Sequence, residues 1–221
     1  MSIKNINDIT NVFYINLEYR VDRKKHVEEQ LNNIGITNAT RFNAIQTKNG
    51  AIGCSMSHLK LLDDAYKNNL DHILIVEDDI TFLEPALFKN QLNKFFELHG
   101  NNWDVILLAG NNIPPYIPID DTCIKVSSCQ TTTGYLVNGH YIQILAQNVK
   151  MGLTHLLNKP NQANKFAIDK FWFILQRESK WFLIIPLTVV QREDYSDIEK
   201  KKVNYINMMQ DINKKYMYIN C

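Results

Sequence analysis

The chain has 221 residues, of which 45% are hydrophobic and 21% are charged. These proportions are typical of a folded globular protein and exclude the polar, highly charged composition of a disordered one. Its 24 lysine and arginine residues nearly balance its 23 aspartate and glutamate residues, for a formal net charge of +1, which excludes the basic excess that drives binding to nucleic acid or anionic membranes.

Four scattered cysteines and the lack of a long apolar run bear on the cellular compartment. No segment approaches membrane-spanning length, and residues 1–10 lack the pattern of a secretion signal, so we expect a cytoplasmic protein without a membrane span. Cys54, Cys123, Cys129 and Cys221 lack metal-site spacing and are interpreted as free thiols. A disulfide between Cys123 and Cys129 under oxidising conditions is the alternative.

The first half of the chain alternates strand and helix patterns. Apolar, β-prone runs predict strands at 12–17 and 72–76. Apolar residues at helical spacing predict helices at 22–33, 53–69 and 85–98. Each strand followed by a helix is one α/β unit, and such units build a sheet whose carboxyl ends gather ligands.

The second half of the chain continues this alternation. The predicted strands are 103–108, 122–126, 132–137 and 181–185, the predicted helices are 139–148 and 167–175, and the predicted loops are 111–121 and 158–164. We therefore expect one α/β domain with a mostly parallel central sheet covered by helices. We place it at 11–200, between an N-terminal tail at 1–10 and a polar C-terminal extension at 201–221, whose tyrosines pack on the core or form a homodimer contact.

Three consecutive acidic residues, Glu77, Asp78 and Asp79, directly follow the apolar run 72–76. Like charges at the end of a buried strand repel each other unless a cation or a network of donors neutralises them. Mn²⁺ and Mg²⁺ prefer such oxygen ligands and leave coordination positions for the phosphates of a nucleotide-sugar. The triplet therefore indicates a divalent metal site. The alternative is that Asp78 or Asp79 caps the next helix.

Four blocks of residues follow one another over most of the chain. They are Phe13-Tyr14-Ile15-Asn16-Leu17 followed by Arg20 and Asp22-Arg23, then Gly53-Cys54-Ser55-Met56-Ser57-His58, then Ile75-Val76-Glu77-Asp78-Asp79, and finally Pro186 with Gln191 ahead of Tyr195-Ser196-Asp197-Ile198. In this order and spacing the blocks resemble those of glycosyltransferase family 25. That family contains collagen galactosyltransferases, bacterial lipooligosaccharide galactosyltransferases and members encoded by large DNA viruses.

The resemblance implies a GT-A (Rossmann-like) fold that binds a UDP-sugar donor. It implies a hexosyltransferase that moves galactose or glucose to a hydroxyl of a protein, such as hydroxylysine in a collagen-like chain, or to an oligosaccharide acceptor. The acidic triplet then takes the role that Asp-x-Asp has in other GT-A enzymes. Mn²⁺ or Mg²⁺ is the implied cofactor, with Glu77 and Asp79 as its ligands and Asp78 at the donor.

The resemblance also implies which residues bind the donor nucleotide. Asn16, Leu17 and Arg20 are expected against the uridine. Arg23 is expected near the diphosphate, because a guanidinium matches phosphate in a bidentate fashion. An exposed charge at the start of a helix is the alternative reading of Arg23.

Four further residues are candidates for the sugar and the acceptor. The resemblance points to three of them, and Thr132 is chosen as a small residue that lets a ligand approach the backbone. Ser57 and His58 are expected to face the donor sugar, although His58 fits a structural hydrogen-bonding role equally well. Thr132 is assigned to the sugar pocket, with plain strand formation as the alternative. Asp169 is the candidate base of an inverting transferase, since it lies where related enzymes often have an acid near the acceptor. A helix cap is its alternative role.

The sequence departs from the expected pattern near its C-terminus. Many GT-A enzymes complete the metal shell with a late histidine, and none follows His155, so Gln191 or a water molecule is expected there. This departure favours a competing hypothesis, a non-catalytic UDP-sugar-binding or scaffold domain, whereas the retained acidic triplet argues against it. A metal-dependent nucleotidyltransferase or phosphotransferase is the third hypothesis, but the sequence lacks the glycine-rich phosphate loop that it requires.

Overall fold

Short strands and helices alternate through the described residues, 3–196 and 201–214, of the computed structural model. The strands are β1 (Val12–Asn16), β2 (Thr40–Asn43), β3 (His72–Glu77), β4 (Ile80–Phe82), β5 (Val105–Leu107), β6 (Asn111–Asn112), β7 (Ile117–Pro118), β8 (Cys123–Lys125), β9 (Cys129–Gln130), β10 (Gly134–Asn138), β11 (Trp181–Ile184), β12 (Val189–Gln191), β13 (Asp194–Ser196) and β14 (Lys201–Val203). The α-helices are α1 (Val21–Asn33), α2 (Gly50–Lys67), α3 (Pro85–His99), α4 (Ile142–Asn158), α5 (Ala163–Phe166), α6 (Ile168–Phe171), α7 (Phe173–Glu178) and α8 (Ile206–Gln210).

Eight of the strands form one central sheet in the order β2-β1-β3-β10-β5-β11-β8-β7. Six of them run in one direction, and β10 and β8 run against it. The sheet is therefore mixed and mostly parallel, which confirms the predicted α/β class. The run His-Ile-Leu-Ile-Val of β3 is buried along its length, as expected for a strand covered on both faces.

Helices cover both faces of the sheet, and the alternation of side chains along β3 shows it. Leu74 and Val76 join an apolar cluster with residues of α1 and α3. Ile73 and Ile75 join a second cluster with residues of α2 and α4. Successive strand side chains point to opposite faces, so one uninterrupted apolar run supplies both halves of the core.

Periodic apolar residues correctly predicted the helices α1, α2 and α3. In α1, Val27 and Leu31 are buried, and α3 buries the stripe that contains Phe88 and Leu92. The helix α2 begins at Gly50, because the Asn49 side chain accepts hydrogen bonds from the first free backbone N–H groups. It therefore starts three residues before the predicted boundary at 53.

Several predicted boundaries were wrong where local patterns are weak. The helix predicted at 139–148 is a short 3₁₀ turn followed by α4, which continues to Asn158. The helix predicted at 167–175 is divided into α6 and α7 at Trp172. The predicted loop at 111–121 contains β6 and β7, two-residue strands too short to be recognised from alternation of residue types.

Both ends of the described chain contact the core. Ile3, Ile6 and Ile9 are buried, although they belong to the segment predicted as a tail. Near the other end, Met209 is buried and Tyr205 packs against the same cluster. Tyr216 and Tyr218 lie outside the described residues. The division of the chain at 11–200 stays a prediction.

The thiols and the helices also bear on two predictions about the compartment. Cys54, Cys123 and Cys129 are free thiols, as interpreted from the sequence, and the alternative disulfide is not formed. Cys221 lies outside the described residues. Within the described ranges, no helix combines the length and the apolar character needed to cross a membrane.

Candidate active site

The acidic triplet lies at the carboxyl end of β3, in the middle of the central sheet. Glu77 is the last residue of the strand, and Asp78 and Asp79 form the turn into β4. The next helix, α3, has Glu84 as its N-cap residue. The interpretation of Asp78 or Asp79 as a helix cap is therefore wrong, and their burial needs another explanation.

Glu77 is held by three donors. Its Oε1 atom accepts a hydrogen bond from Thr132 Oγ1 at 2.7 Å and lies 3.3 Å from His58 Nε2 and 3.7 Å from Cys54 Sγ. Burial by itself raises the pKa of the Glu77 carboxyl, but the contacts with His58 and the hydrogen bonds from Thr132 and Cys54 lower it further than burial raises it. Glu77 is therefore a carboxylate in a fixed position.

His58 has a clear structural role in this network. Its ring is buried, and its Nδ1 atom lies 2.7 Å from the hydroxyl oxygen of Tyr135. Both ring nitrogens are thus engaged, one with Tyr135 and the other with Glu77. Burial raises the pKa of Tyr135 well above its ordinary value, so this hydroxyl keeps its proton and holds the imidazole in place.

Asp78 is paired in a different way. Its two oxygens accept hydrogen bonds from Asn16 Nδ2 at 2.7 Å and from Arg23 Nη1 at 3.0 Å. Burial raises the pKa of Asp78, although both partners oppose the rise. The Asn16 side chain also donates to the Arg20 carbonyl and accepts from Arg41, so its amide is fully used within the protein.

Asp79 differs from its neighbours because one of its oxygens has no partner. Among the described residues, no donor reaches the buried Oδ1 atom, and the nearest cation contact of the other oxygen is Arg23 Nη1 at 3.6 Å. Burial, followed by the charges of Glu77 and Asp78, raises the pKa of Asp79 to about 8. A buried carboxylate oxygen without a donor fits a divalent cation, since a metal ion supplies the missing charge and bond.

Gln191 lies beside this acid through strand pairing. The strand β12 pairs with β4 so that Gln191 is opposite Ile80, the residue after Asp79. The next residue, Arg192, donates its backbone N–H to the Asp79 carbonyl at 2.9 Å. The C-terminal part of the chain is thereby attached directly to the acidic turn.

A cavity of about 770 Å³ opens above these residues. Most of the residues predicted for the site line it, namely Leu17, Arg23, Ser57, His58, Glu77, Asp78, Asp79, Thr132, Asp169 and Gln191. Asn16 and Arg20 are not among the lining residues, and they contact Asp78 and Asp194, respectively. The volume is in the range that encloses a small organic ligand.

Basic side chains reach the cavity from three elements. Arg23, Lys170 and Arg192 line it. Arg23 is largely buried and pairs with Asp78 and, through Nε at 3.0 Å, with Asp194, so it is not the exposed helix-start charge of the alternative reading. Burial lowers the pKa of the Arg23 guanidinium, but the charges of Asp79 and Asp78 raise it more, so the net shift is upward.

Asp194 joins the basic residues to one another. Its Oδ2 atom lies 3.0 Å from Arg20 Nη2, 3.0 Å from Arg23 Nε and 3.3 Å from Arg192 Nη2. Burial raises its pKa, but the Tyr195 backbone N–H and these arginines lower it more. The sequence contains no signal for this role, because Arg20 and Arg23 are 174 and 171 positions away along the chain.

Asp169 faces the cavity from the first turn of α6. Its Oδ2 atom accepts a hydrogen bond from the Thr131 backbone N–H at 3.2 Å. The N-cap residue of α6 is Ala167, so the interpretation of Asp169 as a helix cap is wrong. Burial raises the pKa of its carboxyl. Thr131 has a positive φ of 77°, an uncommon backbone conformation for a β-branched residue that its residue type does not indicate.

Ser57 stabilises the start of α2. Its hydroxyl donates to the Gly53 carbonyl and accepts from the Ile45 backbone N–H, each at 2.8 Å. A Cβ atom at Gly53 would lie 2.4 Å from the Ile45 carbonyl oxygen. The glycine and the serine of this sequence block thus allow the chain before α2 to pass close against the helix.

The sequence of the chain is similar to sequences of known proteins. The sequence profile of glycosyltransferase family 25 (LPS biosynthesis protein) matches residues 48–172. The human protein named inactive glycosyltransferase 25 family member 3 is 24% identical over 126 residues, which are 55% of this chain and 20% of the human protein. The chain therefore matches about one fifth of that relative's length.

A solved structure supports the fold over a longer stretch. A glycosyltransferase involved in the glycosylation of the major capsid of PBCV-1 aligns with 91% of this chain and 88% of its own, at 11% identity and a TM-score of 0.50. The fold is thus the GT-A-like α/β fold of glycosyltransferases. Because the family profile covers more than half of the sequence, the chain belongs to glycosyltransferase family 25.

Proposed function

We propose that the protein is a metal-dependent hexosyltransferase that moves galactose or glucose from a UDP-sugar to a hydroxyl of a protein or glycan. The observation that carries this proposal is the unpartnered, buried Oδ1 atom of Asp79 at the wall of a 770 Å³ cavity that basic side chains also line. Carboxylate oxygens beside guanidinium groups suit a metal ion and a diphosphate together.

Asp79 is the principal metal ligand in this proposal, with Glu77 and Gln191 as the further ligands. Mn²⁺ or Mg²⁺ bound there would stabilise negative charge on the departing diphosphate. The hydrogen bonds that hold Glu77 to Thr132 and His58 keep its carboxylate ionised and fixed. Gln191 contributes an amide oxygen, a weaker ligand than a carboxylate or imidazole.

The donor is proposed to lie along the carboxyl ends of β1 and β3. Leu17 contributes apolar contact for the uridine, and Arg23 contributes charge for the diphosphate. Asn16 and Arg20 are assigned to the same subsite through the side chains that they orient, since Asn16 donates to Asp78 and Arg20 pairs with Asp194. Binding of the diphosphate requires Arg23 to exchange part of its pairing with Asp78 and Asp194 for phosphate oxygens.

The sugar and acceptor subsites are assigned to further residues of the cavity. Ser57, His58 and Thr132 line it, and His58 and Thr132 contact Glu77. Asp169 is proposed as the base that accepts the proton of the acceptor hydroxyl in an inverting transfer. Burial raises the pKa of its carboxyl, which makes Asp169 a stronger proton acceptor than an exposed aspartate.

Hydrolysis of the donor tests the proposal without knowledge of the acceptor. Purified protein is incubated with a panel of UDP-sugars and Mn²⁺, and released UDP is measured beside an EDTA control and an Arg23→Gln variant. We expect one UDP-hexose to be consumed, only with metal, and at least about tenfold more slowly by Arg23→Gln, since a charged contact to phosphate is lost. Hydrolysis that EDTA leaves unchanged would contradict metal dependence.

A non-catalytic UDP-sugar-binding domain is the second candidate. Two observations favour it: the human relative is named as inactive, and Gln191 stands where related enzymes have a stronger ligand. The two candidates differ in a simple measurement. A UDP-sugar that raises the melting temperature in the presence of Mn²⁺ but is neither hydrolysed nor transferred supports the binding domain. Neither binding nor hydrolysis of any UDP-sugar contradicts both candidates.

A further inference from the structure

A second group of potential metal ligands lies away from the cavity, where the end of α3 meets the start of β8. We call it the α3–β8 cluster, and it consists of His99, Asp120 and Cys123. His99 is the last residue of α3, Asp120 lies in the turn after β7, and Cys123 is the first residue of β8. None of the three lines the sugar-nucleotide cavity.

The ligand atoms of this cluster converge. His99 Nε2 lies 2.7 Å from Asp120 Oδ2 and 3.8 Å from Cys123 Sγ, and all three atoms lie within 4.8 Å of one another. A tetrahedral zinc ion with bonds of about 2.0–2.3 Å separates its ligand atoms by about 3.3–3.6 Å. The His99–Asp120 separation reaches this range when Asp120 Oδ2 moves outward by roughly half an ångström, and the His99–Cys123 separation already lies close to it.

The side chains are also oriented for binding. Asp120 Oδ1 accepts hydrogen bonds from the Thr122 backbone N–H at 2.8 Å and from Thr122 Oγ1 at 2.6 Å, which leaves Oδ2 directed at His99. The His99 ring packs against Phe95 and Phe182, with ring centroids 4.6 and 5.8 Å away. Fixed ligands with a supporting outer shell are typical of metal sites in proteins.

An ion and a water molecule have access to the cluster from one side. The side chains of His99 and Asp120 are 17% and 26% exposed, whereas Cys123 is fully buried beneath them. Three protein ligands and one open position are a common zinc arrangement, in which water completes the tetrahedron. Thiolate, imidazole and carboxylate together select zinc over the hard cations Mg²⁺ and Mn²⁺.

We propose that the α3–β8 cluster is a Zn²⁺ site, separate from the metal site of the sugar-nucleotide cavity. On binding, Cys123 releases its thiol proton to solvent, and the ring hydrogen of His99 moves from Nε2 to Nδ1. Zinc then forms bonds with Cys123 Sγ, His99 Nε2, Asp120 Oδ2 and one water oxygen. The site joins the C-terminal end of α3 to the edge of the central sheet and stabilises the folded chain.

Cobalt substitution tests this proposal on the whole protein without reference to activity. Co²⁺ is titrated into the chain with Mg²⁺ in excess to occupy oxygen-only sites, and the visible and thiolate-to-metal absorption bands are recorded. We expect about one equivalent of thiolate-bound, tetrahedral Co²⁺ that Zn²⁺ displaces. Zn²⁺ at about a hundred times its dissociation constant should raise the melting temperature by about 5–10 °C.

Three variants identify the ligands. The thiolate band should be lost in His99→Gln, whose polar side chain is compatible with partial exposure, and in Cys123→Ala. It should persist in Cys54→Ala, which removes the thiol of the other group of potential ligands, Cys54, His58 and Glu77. Melting curves without metal show that each variant is folded.

The outcomes separate clearly. Absence of a thiolate band in the wild-type protein overturns the proposal, and so does a band that survives both cluster substitutions. A band that only Cys54→Ala removes also overturns it, because the thiolate site is then in the sugar-nucleotide cavity. Loss in His99→Gln with retention in Cys54→Ala supports the proposal, even if Cys123→Ala fails to fold.

Discussion

Individual carboxylates in the acidic triplet differ because their partners differ. Glu77 has three donors and a lowered pKa, whereas Asp79 has an unpartnered oxygen and a pKa raised to about 8. These two residues are only two positions apart in the sequence, and both are acids at the end of one strand. Residue type therefore identifies the region of the proposed metal site, and the local donors distinguish the roles proposed for its members.

The substitution Asp79→Asn tests the proposed metal site, because it replaces one carboxylate oxygen with an amide nitrogen. We expect it to abolish the rise in melting temperature caused by Mn²⁺ and to slow donor hydrolysis at least about 100-fold, since the amide is a poor ligand. Without metal, at pH 8, the variant should melt at a higher temperature than the wild type, because a neutral amide replaces a poorly partnered buried carboxylate.

A matched substitution controls for the change of residue type. Asp64→Asn alters an exposed residue of α2 that pairs with Lys60, and it should leave both metal binding and hydrolysis unchanged. If the metal-free Asp79→Asn protein is less stable than the wild type, the Asp79 carboxylate is stabilised in the folded protein, which contradicts its description as poorly partnered.

The pH dependence of metal binding follows from the same residue. Since its pKa is raised from 3.8 to about 8, the contribution of Asp79 to the free energy of unfolding without metal is fully present below about pH 4 and is lost as the pH rises through 8. A metal ion must displace the proton, so Mn²⁺ affinity should increase up to about tenfold per pH unit between pH 6 and 7.5.

Calorimetric titration measures this linkage directly. Mn²⁺ is titrated at pH 6, 7 and 8 in two buffers with different heats of ionisation, which reports the number of protons released. We expect release approaching one proton at pH 6 and falling toward half at pH 8, as Asp79 becomes ionised before the metal binds. A dissociation constant that is independent of pH would contradict the assignment.

At the level of elements, the start of α2 shows how a short motif determines a close approach. Asn49 caps the start of the helix, and the Ser57 hydroxyl accepts a hydrogen bond from the Ile45 backbone N–H. Gly53 leaves room for the Ile45 carbonyl. This arrangement holds the segment 44–47 against α2, and both line the cavity. The helix itself was predictable from its periodicity, whereas this contact between segments was not.

The substitution Gly53→Ala should disturb this element and the cavity together. A Cβ atom 2.4 Å from a backbone oxygen forces the segment 44–47 away from α2, which we expect to lower the free energy of unfolding by about 1–3 kcal/mol. UDP-sugar binding should weaken as well, as measured by the ligand-induced shift in melting temperature.

Gly100→Ala provides the comparison for this prediction. No atom lies within 4 Å of the added Cβ, but φ is +53° and ψ is −123°, so the cost is a backbone strain of about 1–3 kcal/mol. UDP-sugar binding should be unchanged in this variant. Equal loss of binding in both variants would show that general destabilisation, rather than displacement of the segment 44–47, is responsible.

At the level of the whole molecule, segments from most of the chain assemble the cavity. The family profile matches 48–172, yet Leu17 and Arg23 reach the cavity from before this region and Gln191 and Met209 from after it. The last described helix, α8, packs in the core through Met209, whose sulfur accepts the Gln191 backbone N–H at 3.3 Å. The C-terminal part of the chain thus completes the site.

A pair of adjacent methionines tests this dependence. Met209 is buried and Met208 is 39% exposed. We expect Met209→Ala to lower the free energy of unfolding by about 2–4 kcal/mol and to weaken UDP-sugar binding, because Gln191 loses its support. Met208→Ala should cost less than about 1 kcal/mol. Chemical denaturation measures the loss of stability in both variants, and ligand-dependent melting measures binding by Met209→Ala. Similar losses of stability for the two variants would contradict a role for α8 in the core.

The sequence by itself determined the α/β class, the long helices, the central strands and the acidic residues of the site. These features follow from local order, since side-chain periodicity and apolar runs are read within a few turns or one strand. The family resemblance likewise depended on residues that are close together in each block.

Only the tertiary structure decided which acids are paired, which arginines pair with Asp194, and where Gln191 lies. These properties depend on contacts between residues up to 174 positions apart, and on burial, which shifts each pKa according to neighbours that the local sequence does not contain. The short strands β4 and β12 were missed for the same reason. Their three-residue patterns carry little information, and it is their pairing across the fold that brings Gln191 beside Asp79.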